Sequence, residues 1–221
     1  MKNFKMQTVN DFAPKNKLII FKTMNEIKTR TNLINYIIEA KNYKSYLEIG
    51  IETGVNFNSI KIEEKVGVDP NGSHKGVLKT TSDVFFEQNL QFFDIIFIDG
   101  LHEVEQTKRD INNSLHFLNK EGTIIIHDCN PTTKESQQVP QITGIWTGDV
   151  WKAFVYYRRF PNIKMFVIDI DWGCGIIKRG KQEILEIPTK QLTWENFNLN
   201  RNLWLNLKDV NYLKETFDNE K

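Results

Sequence analysis

No apolar run in the 221-residue chain approaches the roughly 18 residues needed to span a bilayer. The opening MKNFKMQTVNDFAPKNK also lacks the apolar stretch of a secretory signal. These absences predict a soluble, cytosolic protein with no membrane span. Cysteine is scarce: Cys129 and Cys174 stand 45 positions apart with no CxxC spacing. That argues against a disulfide framework and against a structural zinc site. An excess of one charge is missing too, since 29 Lys and Arg face 28 Asp and Glu. A nucleic-acid or anionic-membrane partner therefore has no electrostatic basis. Internal repeats and low-complexity linkers are absent, and the length suits one sizeable α/β domain with additions.

What is present is an alternation of short apolar runs with amphipathic segments. Residues 25–40 carry Ile27, Leu33, Ile34, Ile37 and Ile38 at a rough helical spacing. SYLEIG (45–50) and VGVDP (66–70) read as strands, with a short helix near 56–64 between them. A weaker strand is expected at 76–80 and a short helix at 83–91. FFDIIFIDG (92–100) and GTIIIHD (122–128) have the continuous apolar character of strands covered on both faces. Helices are expected at 104–118 and 149–160. IKMFVIDID and GCGIIKRG, joined at Trp172-Gly173, read as a closing hairpin. The aromatic tail from Pro188, with Trp194, Phe197 and Trp204, reads as a cap that packs back.

Strands alternating with helices imply right-handed crossovers and a doubly wound sheet. Ligands of such sheets sit at the carboxyl ends of the strands. Glu48, Gly50, Asp69, Asp99, His127 and Asp128, spread over 80 positions, then become neighbours of one crevice. Gly50 and Gly54 stand where missing side chains let backbone approach a ligand, although a tight strand–helix turn alone would use them too. The dinucleotide fingerprint GxGxxG is not met, because Glu52 holds its middle position. Asp69, 19 residues after Gly50, can accept the ribose hydroxyls of an adenosine. Glu48 disfavours a pyrophosphate and suits a cofactor that is cationic at its reactive end.

Glu48-Ile49-Gly50-Ile51-Glu52-Thr53-Gly54, Asp69, Asp99-Gly100-Leu101-His102 and HDCNP (127–131) together resemble a class I S-adenosylmethionine-dependent methyltransferase. The resemblance spans residues 44–180 and is closest to the metal-dependent branch that includes macrolide-sugar and surface-polysaccharide O-methyltransferases. It implies a Rossmann-like α/β fold: a doubly wound, mostly parallel seven-stranded sheet with one antiparallel strand and helices on both faces. Residues 1–43 would be a helical extension, 44–180 the cofactor-binding domain and 181–221 the cap. It also implies that Glu48, Gly50 and Gly54 hold the methionine part of S-adenosylmethionine, Asp69 the ribose, and Ser82 and Asp83 the adenine. Acting on a sugar or glycan hydroxyl, such an enzyme would serve polysaccharide biosynthesis, with its oligomeric state left open.

Asp99 and Asp128 end adjacent strands and can converge on one magnesium or manganese ion, or can instead cap the following helices. The resemblance places two neighbouring acids after the fifth strand, where this chain has His127 and Asp128. His127 either joins the ion, softening the site toward other metals, or turns away and leaves Asn130 as a ligand. His102, three residues past Asp99, takes the general-base position of the family; otherwise it is a helix-start histidine bonded to backbone and water. His116 and His74 read as structural and as a loop residue. The segment 131–146 is a candidate lid, and Trp146, Asp149 and Lys152 are candidate sugar contacts. Two other classes stay open: a non-catalytic nucleotide-binding accessory protein and an NAD-linked oxidoreductase.

Overall fold

The computed structural model describes residues 27–219; of the expected N-terminal extension, residues 1–26 lie outside the described residues. In chain order the elements are α1 (Arg30–Lys41), β1 (Ser45–Ile49), α2 (Val55–Ser59), β2 (Glu64–Val68), β3 (Val77–Leu78) and α3 (Ser82–Gln88). They continue as β4 (Phe93–Ile98), α4 (Val104–His116), β5 (Leu118–Ile126), α5 (Val150–Tyr157), β6 (Ile163–Ile168) and β7 (Cys174–Arg179). A 3₁₀ turn at Thr189–Gln191, α6 (Trp194–Leu205), β8 (Leu207–Lys208) and α7 (Val210–Asp218) complete the chain.

The sheet order is β3-β2-β1-β4-β5-β7-β6-β8. Strands β1 to β5 pair in parallel, and β7 runs antiparallel to both β5 and β6, as the expected hairpin requires. Eight strands stand where seven were expected, because Leu207–Lys208 adds a parallel edge to β6. That two-residue strand has no periodicity to read. The helix after β1 is shorter than expected, because β2 already begins at Glu64.

Alternation along the strands divides the core in two. Leu47, Ile96, Ile98, Ile124 and Ile126 face α4, α5 and α6, where Trp151, Phe154, Phe197 and Trp204 are buried. Tyr46, Ile95, Phe97 and Ile125 face the opposite layer, where Leu33, Ile34 and Ile37 of α1 pack with Leu213 and Phe217 of α7. The Tyr36 hydroxyl donates to Asp218 at 2.9 Å and ties those two helices together.

Register then makes the site. Ile49 pairs with Ile98, and Ile98 with Ile126, so the three central strands end level. The ladder continues one residue further, with Asp99 N donating to Ile49 O at 2.8 Å and His127 N to Ile98 O at 3.0 Å. The chain winds outward from β1 through β2 and β3 on one side and from β4 to β5 on the other. The crevice where such sheets bind ligands therefore opens above the β1–β4 junction. Among the described residues no helix is long and apolar enough to cross a membrane.

Candidate active site

A cavity of about 1070 Å³ opens above that junction. It is walled by Glu48, Gly50, Asp69, Ser82, Asp83, Asp99, His102, His127, Asp128 and Trp146. Gly54, Asp149 and Lys152 are not among its lining residues.

At one end the β1–α2 turn is held by Asp69. Its Oδ2 accepts from the backbone of Ile51 at 2.8 Å and Glu52 at 3.0 Å, and its Oδ1 from Asn71 N at 2.7 Å. Burial alone would raise the Asp69 pKa, but these donors outweigh it and hold the carboxyl below its ordinary value. A carboxylate has about four lone-pair sites. Ile51 and Glu52 of the turn and Asn71 of the loop after β2 all bond this one, so Asp69 organises the glycine loop as well as lining the cavity. Gly50 sits at φ +85, and a Cβ there would lie 2.1 Å from the Asp99 carbonyl oxygen, so only glycine lets β1 and β4 part this closely. Gly54 starts α2 with the His74 ring against it, 2.9 Å from where a Cβ would stand. It shapes the turn from behind.

Glu48 is buried and accepts from Asn56 Nδ2 at 3.2 Å and from the Tyr46 hydroxyl. Burial pushes its pKa up to about 7 in spite of those two donors. At the far end Gln106 Nε2 donates to Ser82 Oγ at 3.1 Å, Asp83 Oδ1 at 3.3 Å and Asp110 Oδ1 at 3.1 Å. Asp110 is buried against the cavity, and burial pushes its pKa up to about 6. Asp83 is half-exposed and paired with Arg109 at 3.3 Å. Sequence reading missed Gln106 and Asp110; their only signal is an i,i+4 pair of polar residues on α4, common on any solvated helix.

At the opposite end His102 Nε2 lies 3.4 Å from Asp99 Oδ1, and His102 Nδ1 lies 3.3 Å from Asp128 Oδ2. Burial alone would lower the His102 pKa, and the two carboxylates outweigh it and raise it. Asp128 takes a left-handed φ of +59, which swings its carboxylate back toward His102. The His102 Nδ1 is also 3.1 Å from the Trp146 carbonyl oxygen, and the two rings lie 5.1 Å apart.

The metal-ligand set expected from the sequence is regrouped. Ligand atoms of Asp99, His102 and Asp128 lie within 4.8 Å of one another, and His127 is not in that group. Its Nδ1 is 3.1 Å from Asp99 Oδ1 and 3.3 Å from Asp128 Oδ1, and its Nε2 is 3.6 Å from Asp171 Oδ1. Buried among three carboxylates, its imidazole is raised well above its ordinary pKa against the desolvation that would lower it. Its Nε2 also lies 3.0 Å from a guanidinium nitrogen of Arg30, so both ring nitrogens already have protein partners. Asn130 is likewise occupied, donating to Asp169 at 2.8 Å and accepting from Arg201.

The three expected substrate contacts separate. Trp146 lines the cavity and donates its indole N–H to Gln138 O at 2.7 Å. Asp149 instead accepts from Val104 N at 2.7 Å at the start of α4 and pairs with Lys152 at 3.1 Å. Their polar groups serve the α4–α5 junction, a tertiary contact no local pattern announces. Asp171 of the β6–β7 turn and Arg30 of α1, the latter not singled out by the sequence, complete the wall around His127.

A family model described as a methyltransferase domain matches residues 71–129. Among curated proteins none matches the chain in sequence. The structure resembles a candidate caffeoyl-CoA O-methyltransferase from Staphylococcus aureus at TM-score 0.54 and 20% identity, covering 76% of this chain and 93% of that one. It also resembles the Podospora anserina methyltransferase PaMTH1, solved with S-adenosylhomocysteine bound, at TM-score 0.55 and 12% identity, covering 80% and 100%. A third similar structure, described as a candidate O-methyltransferase from Klebsiella pneumoniae, gives TM-score 0.51 at 13% identity, covering 77% and 91%. The chain therefore has the mixed α/β, Rossmann-like fold of these methyltransferase structures.

Proposed function

We propose that this protein transfers the methyl group of S-adenosylmethionine to a hydroxyl oxygen, with a sugar or glycan as acceptor. The observation that carries the reading is His102, held between Asp99 and Asp128 in the wall of the cavity that begins at the Gly50 turn. S-Adenosylmethionine, when bound, supplies a methyl carbon activated by a sulfonium sulfur.

The turn at Gly50 admits the amino-acid part against bare backbone, Asp69 in the cavity wall beside it accepts from a ribose hydroxyl, and Ser82, Gln106 and Asp110 surround the base. The Trp146 carbonyl can only accept, so it selects the His102 tautomer with hydrogen on Nδ1. Nε2 then takes the acceptor proton as the oxygen–methyl bond forms and the methyl–sulfur bond breaks. The histidine pKa, raised by Asp99 and Asp128, keeps that proton on the ring once taken. The indole face of Trp146 beside His102 suits the apolar face of a sugar ring.

The oxygen and imidazole donors of Asp99, Asp128 and His102 fit a divalent ion, and they are the residues that would hold it. Such an ion would polarise the acceptor hydroxyl and take the lone pair that the base uses. The test is calorimetric titration of S-adenosylhomocysteine together with transfer of tritiated methyl to a panel of nucleotide sugars. Binding without NAD affinity supports the proposal; absence of S-adenosylhomocysteine binding overturns it.

A further inference from the structure

Arg30, the first residue of α1, reaches the acceptor end from the opposite layer of the fold. Its backbone N–H donates to Asp171 Oδ2 at 2.8 Å, which fixes where the side chain begins. From there Nε lies 3.8 Å from Asp99 Oδ2, one terminal nitrogen 3.9 Å from Asp171 Oδ1, and the same nitrogen 3.0 Å from His127 Nε2. A guanidinium does not lose its proton in a protein, so this is a fixed positive charge in the cavity wall.

Every carboxylate oxygen of Asp99 and Asp128 has a basic side-chain nitrogen close by. Asp99 Oδ1 faces His127 at 3.1 Å and His102 at 3.4 Å, while Asp99 Oδ2 faces Arg30. Asp128 Oδ1 faces His127 at 3.3 Å, and Asp128 Oδ2 faces His102 at 3.3 Å. An ion taken up by Asp99, His102 and Asp128 would have to be accommodated beside Arg30, whose Nε is already within ion-pair distance of one of the two carboxylates.

We propose that Arg30 is a built-in counter-cation of the acceptor site and competes with a divalent ion for the Asp99 carboxylate. Like charges a few ångströms apart in a partly buried site repel strongly enough to decide such a competition. The helix that carries Arg30 thereby sets how readily the site takes metal. In the metal-free site the guanidinium supplies the positive charge beside the acceptor oxygen.

The test needs no acceptor. Manganese is titrated calorimetrically into chelator-treated full-length wild type, Arg30→Met and Arg30→Lys. Arg30→Met is expected to bind manganese at least about tenfold more tightly than wild type. Arg30→Lys should stay within about threefold of wild type, because it keeps the charge. Adding Asp99→Asn to Arg30→Met should remove the gain, which locates the ion. Equal affinity in wild type and Arg30→Met, or weaker binding in the variant, overturns the inference. Should Arg30→Met not fold, Arg30→Gln carries the same expectation. The result is independent of the methyl-transfer reading, since S-adenosylhomocysteine binding does not enter it.

Discussion

His102 Nδ1 lies 3.1 Å from the Trp146 carbonyl oxygen, so one end of the imidazole is held by the segment that leads into α5 while the other faces the Asp99 carboxylate. A base oriented in this way is worth about 10²- to 10⁴-fold in rate. His102→Gln should lower methyl transfer by that range and leave the S-adenosylhomocysteine dissociation constant within about threefold of wild type. A matching loss of S-adenosylhomocysteine affinity would show that the ring holds cofactor instead.

Gly50→Ala should be far more damaging than Gly54→Ala. At Gly50 the added carbon meets Asp99 backbone, while at Gly54 it meets the end of the His74 side chain, which can swing aside. Both positions carry the cost of about 1–2 kcal/mol for a left-handed alanine. Only Gly50→Ala should also abolish S-adenosylhomocysteine binding, as read by calorimetry beside urea unfolding. Equal effects would mean that the β1–β4 approach is not what the glycine secures.

Glu48 gives the protein a pH-dependent stability. Its folded pKa is raised by burial to about 7 from an ordinary value of 4.5, so the folded state binds its proton more tightly than the unfolded state. Its contribution is complete below about pH 4.5 and is lost as pH rises through about 7, by an amount on the order of 3 kcal/mol. Glu48→Gln keeps an oxygen for the Tyr46 and Asn56 donors and should flatten this decline. Urea unfolding at pH 5 and pH 8 measures it; an unchanged slope in the variant would place the titration elsewhere.

Asp149→Ala should cost stability and spare the cavity. Loss of the acceptor for Val104 N at the start of α4 should destabilise by about 1 kcal/mol. S-Adenosylhomocysteine affinity should be unchanged. A selective rise in acceptor KM with unchanged unfolding free energy would return Asp149 to the substrate site.

Trp151→Ala should cost about 3–5 kcal/mol, because Trp151 is fully buried and packs 4.3 Å from the Phe197 ring. Since α6 supplies that ring, thermal unfolding of the variant should also expose the tail to early proteolysis. A loss below about 1 kcal/mol would mean that the site between α5 and α6 collapses without a cavity.

Strands β4 and β5 were legible because continuous apolar runs ending in Asp99 and Asp128 can satisfy themselves only inside a parallel sheet. Their ends meet once the strand order is right, so Asp99, His102 and Asp128 could be named together before any coordinates. Both histidines contact the two carboxylates, and which of them shares a ligand geometry with the pair was not legible. His127 and His102 differ by where α1 brings Arg30 and where the hairpin turn brings Asp171, and neither contact has a local signature. Gln106 and Asp110 look like ordinary helix-surface residues until α3 and the cavity are laid against them.

Local pattern alone determined the alternation of strands and helices, the glycine turn after β1 and the row of acids at the strand ends, since hydrophobic period and backbone conformation act over a few residues. The tertiary structure decided which charges face one another. Ion pairs and hydrogen bonds are settled over about 3–4 Å between residues as far apart as Arg30 and His127, and only the packing of α1 across the sheet brings those two within that range.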